Sequence, residues 1–202
     1  MGPPPGATIH VKKGGDGKGA VASSPEGISC DNDCTGGGDF TFSSETKKIT
    51  LTATAARDAL FDNWHCDGTK DGVALTSIDV QDAVLDVVDE ADPQGIEWTC
   101  TASFRQLWTI QIVFSGSEGQ ASQHGHVVGT APASDGSGAR IDCPTKCTAG
   151  YFNDDSETLS VTADDGFVFA GWKLDCASAG TGDATLTIDD NKDCEAHMCP
   201  SA

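Results

Sequence analysis

The chain has 202 residues, 38% hydrophobic and only 6% aromatic, and a formal charge of −19 from 31 acids against 12 bases. Residues 1–106 hold 17 acids and 8 bases (−9) and residues 107–202 hold 14 and 4 (−10), so neither half offers a basic surface to nucleic acid or an anionic membrane. No apolar run reaches the length of a membrane helix, and the opening MGPPPG has neither the basic nor the apolar region of a secretory leader, so the chain reads as a mature or partial segment.

The predicted elements are strands. Thr8-Ile9-His10-Val11-Lys12 alternates apolar and polar residues, and Lys48-Ile49-Thr50-Leu51-Thr52-Ala53 does so with Ile and Leu on one face and Thr on the other. Asp82–Asp92 is the one helix candidate: Asp82 can cap it and Pro93 stop it, although its Val84, Leu85, Val87 and Val88 suit a strand equally. Trp108-Thr109-Ile110-Gln111-Ile112-Val113-Phe114 then opens a second set of strands, with Gly- and Asp-rich stretches between elements.

That second set repeats the first. Gly19-Ala20-Val21, Ile28-Ser29-Cys30-x3-Cys34, Ile49 to Ala53, Phe61-x2-Trp64, Cys66, Leu75 to Asp79 and Cys100 to Phe104 recur in the same order. Their counterparts are Gly125-His126-Val127, Ile141-Asp142-Cys143-x3-Cys147, Leu159 to Ala163, Phe169-x2-Trp172, Cys176, Leu186 to Asp189 and Cys194 to Met198. The interval from Ala53 to Cys66 and from Ala163 to Cys176 is 13 residues each time. The first copy carries extra residues between its Leu75 strand and Cys100, through AVLDVVDEADPQG. The expected division is residues 1–105 and 106–202, two small antiparallel all-β domains.

The series Gly-x-Val, Gly-Ile-x-Cys-x3-Cys, a Thr-rich strand ending in Ala, Phe-x2-Trp, and a Cys pair ending in Thr-Ala-x-Phe resembles the divergent InlB B-repeat family. The resemblance implies a bacterial extracellular or cell-surface repeat acting in spacing, display or adhesion, without catalysis. It also implies a β-grasp-like fold. Pro25–Phe40 is too glycine-rich for the grasp helix, so a plain antiparallel arrangement is expected instead.

Nine cysteines point the same way, because small domains in oxidising compartments supplement thin cores with crosslinks. Whatever pairs in one copy should pair in the other. Cys30–Cys34 with Cys66–Cys100, matched by Cys143–Cys147 with Cys176–Cys194, satisfies that rule; so does an arrangement crossing each short-loop Cys to a strand Cys. The first is preferred because Cys-x3-Cys can close a tight loop. Cys199 is left over, as a free thiol or an intermolecular bridge. Structural zinc on these thiols is the rival use, but the Cys-x3-Cys pairs and single strand cysteines fit a zinc ribbon poorly.

Trp64 and Trp172, each three residues after a Phe and just before a Cys, are expected in the cores. Trp98 and Trp108 flank the junction and are expected to pack between the domains. Asp31-Asn32-Asp33-Cys34-Thr35-Gly36 partly imitates a calcium loop, with Asp39 at the ninth place but Phe42 where a bidentate Glu is needed; calcium on Asp31, Asp33 and Asp39 is the one cofactor candidate. An accessory module for glycans or calcium within a larger secreted enzyme is the alternative function. Catalysis finds no motif: Gly14-Gly15-Asp16-Gly17-Lys18-Gly19 lacks the Ser/Thr of a phosphate loop, and no Gly-x-Ser-x-Gly elbow occurs. Partners are expected among other domains of a larger surface protein or another chain, the molecule being a monomer open to a Cys199-linked dimer under oxidation or to fibre assembly.

Overall fold

A computed structural model describes residues 5–31, 34, 38–116 and 124–201. The chain divides into two compact units, Met1–Gln106 and Leu107–Ala202.

The first unit contains β1 (Pro5–Gly15), β2 (Gly19–Ser24), β3 (Ser29–Cys30), β4 (Asp39–Ser43), β5 (Lys48–Ala55), β6 (Ala59–Lys70), β7 (Val73–Ala74), β8 (Ile78–Val80) and β9 (Val84–Asp89). The first half of β10 (Ile96–Gly116) completes it. One sheet runs β4-β1-β10-β6, with β7 and β8 on the far side of β6, and the other runs β3-β2-β5-β9. The second unit takes the rest of β10, then β11 (Gly125–Gly129), β12 (Asp142–Cys143), β13 (Thr148–Phe152), β14 (Ser156–Ala163), β15 (Phe167–Leu174), β16 (Ala184–Thr187) and β17 (Lys192–Pro200). Its sheets are β13-β10-β17-β15 and β12-β11-β14-β16. The order is the same in both units, and the only helix among the described residues is a single 3-10 turn at Ala177–Ala179.

Pairing is antiparallel except at the centre of each first sheet, where β1 lies parallel to β10 and β10 parallel to β17. In each unit the chain leaves the opening strand, builds the second sheet, and returns to lay the last strand beside the first, so the two run the same way. Alternation then sorts the side chains. In β5, Ile49, Leu51 and Ala53 point inward; in β17, Cys194, Ala196 and Met198 do, while Glu195, His197 and Cys199 share the outer face. Inward residues of both sheets form one core in each unit.

The helix expected over Asp82–Asp92 is the strand β9. Val84, Leu85, Val87 and Val88 follow a period near two interrupted by a bulge against β5, which buries Leu85, Val87 and Val88. Asp82 accepts a bond from the Val84 N–H as a turn residue rather than a helix cap. Trp64 and Trp172 are buried, and each donates its indole N–H to a backbone carbonyl, of Ala83 (3.3 Å) and Gly182 (2.9 Å). Trp98 lies in the first unit's core and Trp108 packs against the second's.

Strand register also corrects how the copies align. Val21 stands opposite Ala53 and Val127 opposite Val161, so Ala53 corresponds to Val161, not to Ala163, and Ile49 corresponds to Glu157. The counterpart of β16 is β9, since both lie against the same strand of the second sheet, and not the segment after Leu75. The insertion in the first unit is therefore β7 and β8, which pair with β6.

Candidate functional site

Four disulfides occur among the described residues: Cys30–Cys34, Cys66–Cys100, Cys143–Cys147 and Cys176–Cys194. Cys66 and Cys100 stand directly opposite each other on β6 and β10. Cys176 lies two residues beyond Leu174, the residue that faces Cys194. Cys199 is a free, half-buried thiol.

Of the three calcium candidates, Asp31 and Asp39 lie among the described residues. Asp39, on β4, accepts a bond from His10 Nδ1 (2.9 Å), whose other ring nitrogen lies 3.2 Å from Glu97. Asp33 lies outside the described residues, and among those described no three His, Cys, Asp or Glu side chains converge to hold a metal. Beside this face of the first unit an open cavity of 470 Å³ is lined by Asp67, Thr69, Ser77, Glu97 and Thr99.

Two polar groupings of the second unit escaped the sequence reading. Glu157, on β14, is fully buried. Its Oε1 accepts from the backbone N–H groups of Thr130 (2.7 Å), Ala131 (3.1 Å) and Thr158 (2.7 Å) and from the Thr130 hydroxyl (3.1 Å). Its Oε2 accepts from the Tyr151 hydroxyl, whose pKa is raised well above the phenol range by burial and by this bond. A Cβ on Gly129 would come within 2.9 Å of Glu157 Oε2 and 3.2 Å of Ile141 Cβ, so glycine makes room for the carboxylate there.

The second grouping lies on the outer face of β10, β17 and β15. The parallel register sets Ser115 opposite His197, and the antiparallel one sets Lys173 opposite Glu195. The Ser115 hydroxyl donates to Glu195 Oε1 and its oxygen lies 2.8 Å from His197 Nδ1. His197 Nε2 lies 3.7 Å from Cys199 Sγ. Lys173 Nζ reaches Glu195 Oε1 at 2.9 Å and His197 Nδ1 at 3.2 Å. The Ser115 bond and then the Lys173 ammonium hold the Glu195 carboxyl below its ordinary range. His197-x-Cys199 is visible in the sequence; Ser115, more than eighty residues upstream, joins them only through parallel pairing.

No family model and no curated protein matches this chain. Among solved structures it is similar to the C-terminal fragment of the pilus adhesin SpaC from Lactobacillus rhamnosus GG, at 17% identity and a TM-score of 0.38 over 96% of this chain and 98% of that one. The shaft pilin SpaA from the same organism is similar at 10% identity and a TM-score of 0.32, over 98% of both chains. The minor pilin GBS52 of Streptococcus agalactiae is similar at 8% and 0.34, over 97% and 96%. Likenesses this low carry no function across.

Proposed function

We propose that this chain is a non-catalytic extracellular repeat module that spaces, displays or adheres on a bacterial surface, built from two copies of a unit resembling the divergent InlB B-repeat. The observation that carries the reading is the tandem itself: one eight-strand plan occurs twice in succession, each copy closed by a Cys-x3-Cys bridge and a bridge to its last strand. A thin core of 6% aromatic residues gains covalent reinforcement in this way only where thiols oxidise. The charge of −19 keeps such a surface soluble and opposes indiscriminate association.

A glycan-binding accessory module would need an exposed aromatic platform. Trp64, Trp98 and Trp172 are buried, and Trp108 is half-buried with its indole N–H donated to Asn153 (3.3 Å). Labelling of intact cells of the source organism with a membrane-impermeant amine reagent tests the placement. The reading expects this chain among the labelled proteins; labelling only after lysis would overturn it.

A further inference from the structure

We propose that Cys199 is a base-assisted nucleophilic thiol, with His197 as its base, through which the second unit becomes covalently attached to a molecule bearing an accessible disulfide. Eight of the nine cysteines are consumed in bridges, and the remaining one is set beside an imidazole in a chain of polar groups.

The network assigns the ring's protons. Ser115 gives its hydroxyl hydrogen to Glu195, so its oxygen accepts from His197 Nδ1–H. With Nδ1 protonated, the Lys173 ammonium 3.2 Å away does not donate to it, and of its three hydrogens one is directed to Glu195 Oε1 at 2.9 Å. Nε2 is left as an acceptor facing Cys199 Sγ at 3.7 Å. This is a nucleophile beside a base that is itself oriented by a third group, with Ser115 and Glu195 as the positioning residues. Strand geometry holds it: Glu195, His197 and Cys199 follow one another on the outer face of β17, whose inner face is anchored by the buried Cys194, Ala196 and Met198.

The first unit has the same strands without this grouping. In register, Gly14 stands where Ser115 does, Thr101 where Glu195 does, Ser103 where His197 does, and His65 where Lys173 does; Arg105 follows Ser103 as Cys199 follows His197. All five positions differ, so the fold does not require the arrangement.

The chemistry balances without a further oxidant. Cys199 passes its proton to His197 Nε2 as Sγ attacks one sulfur of R–S–S–R′. The new Cys199–S–S–R bond forms as the S–S bond of the ligand breaks. The departing R′–S⁻ takes the proton from the imidazolium and leaves as R′–SH. The event is a single stoichiometric attachment. It rests on the extracellular reading only for the supply of disulfides; the thiol's kinetics and the labelling of intact cells succeed or fail separately.

The test is the reaction of the intact, non-reduced chain with dithiodipyridine, a neutral disulfide, followed by release of thiopyridone at neutral pH. One thiol should react, and Cys199→Ser should abolish the signal. His197→Ala should slow the reaction by about tenfold or more, and free imidazole should restore much of that loss. Ser115→Ala, which leaves β17 intact, should slow it severalfold. With glutathione disulfide, intact mass should show one glutathione on wild type and none on Cys199→Ser. A His197→Ala rate equal to wild type, a loss that imidazole does not restore, or a Ser115→Ala rate equal to wild type would each overturn the proposal.

Discussion

In the first unit Pro25, Phe42 and Ile49 occupy positions that Ala131, Tyr151 and Glu157 occupy in the second. Register places them: Ile9 faces Phe40 as Ile110 faces Ala149, so Phe42 corresponds to Tyr151, and Val21 corresponds to Val127, so Pro25 corresponds to Ala131. Ile49 and Glu157 are both fully buried. In the second unit the carboxylate answers the Ala131 N–H and the Tyr151 hydroxyl; in the first, proline has no N–H, phenylalanine no hydroxyl, and isoleucine needs neither. The buried carboxylate and two of its five donors thus differ together between the units, as expected when leaving a partner unmatched costs more than replacing it as well.

The sharpest way to break this comparison is to transplant one member alone. Ile49→Glu would bury a carboxylate where neither Pro25 nor Phe42 can donate, and should cost about 4 kcal/mol or more in urea unfolding. Glu157→Ile should cost about 3 kcal/mol, because it removes the acceptor of the Ala131 and Thr158 N–H groups and of the Thr130 and Tyr151 hydroxyls, while the Thr130 N–H keeps the Thr158 carbonyl (3.1 Å). Adding Ala131→Pro and Tyr151→Phe should recover part of that loss. An additive outcome would show that the three positions are independent.

Bridges differ between the units as well. Cys66–Cys100 spans 34 residues and Cys176–Cys194 spans 18. By chain entropy, Ser replacements should cost about 4 kcal/mol in the first case and about 3 in the second. Equal unfolding midpoints, or the reverse order, would show that loop length does not set their relative worth. Tyr151→Phe, which removes a single bond to the buried Glu157, should cost about 1.5 kcal/mol.

The smallest effects separate the outer faces by pH. In the first unit the Asp79 and then the Asp67 hydrogen bonds raise the His65 pKa. That pairing stabilises the fold fully below the ordinary imidazole value of 6.5 and is lost as pH rises through the raised one. In the second unit the Glu195 pKa is lowered, so its contribution is present above the ordinary 4.5 and is lost as pH falls through the lowered value. Melting temperatures of His65→Asn should therefore converge on wild type at alkaline pH, and those of Glu195→Gln at acid pH.

Much of the fold was legible in the sequence: alternating Thr-rich strands and dense cysteines announced two disulfide-stapled all-β units. The register of the repeat was not. A strand such as Ile49-Thr50-Leu51-Thr52-Ala53 looks the same after a slip of two residues, which keeps every side chain on its face. That slip paired Ile49 with Leu159 and hid its true counterpart, Glu157. Glu157 was also lost among 31 acids, since burial leaves no mark on composition. The parallel pairing that joins Ser115 to His197 depends on the order in which strands enter the sheet, which local alternation does not encode.

The most direct test of the central account, two disulfide-stapled units with one thiol to spare, is intact mass after alkylation in denaturant with and without prior reduction. The account predicts a single alkyl group, on Cys199, without reductant and nine with it. Nine groups without reductant would contradict it.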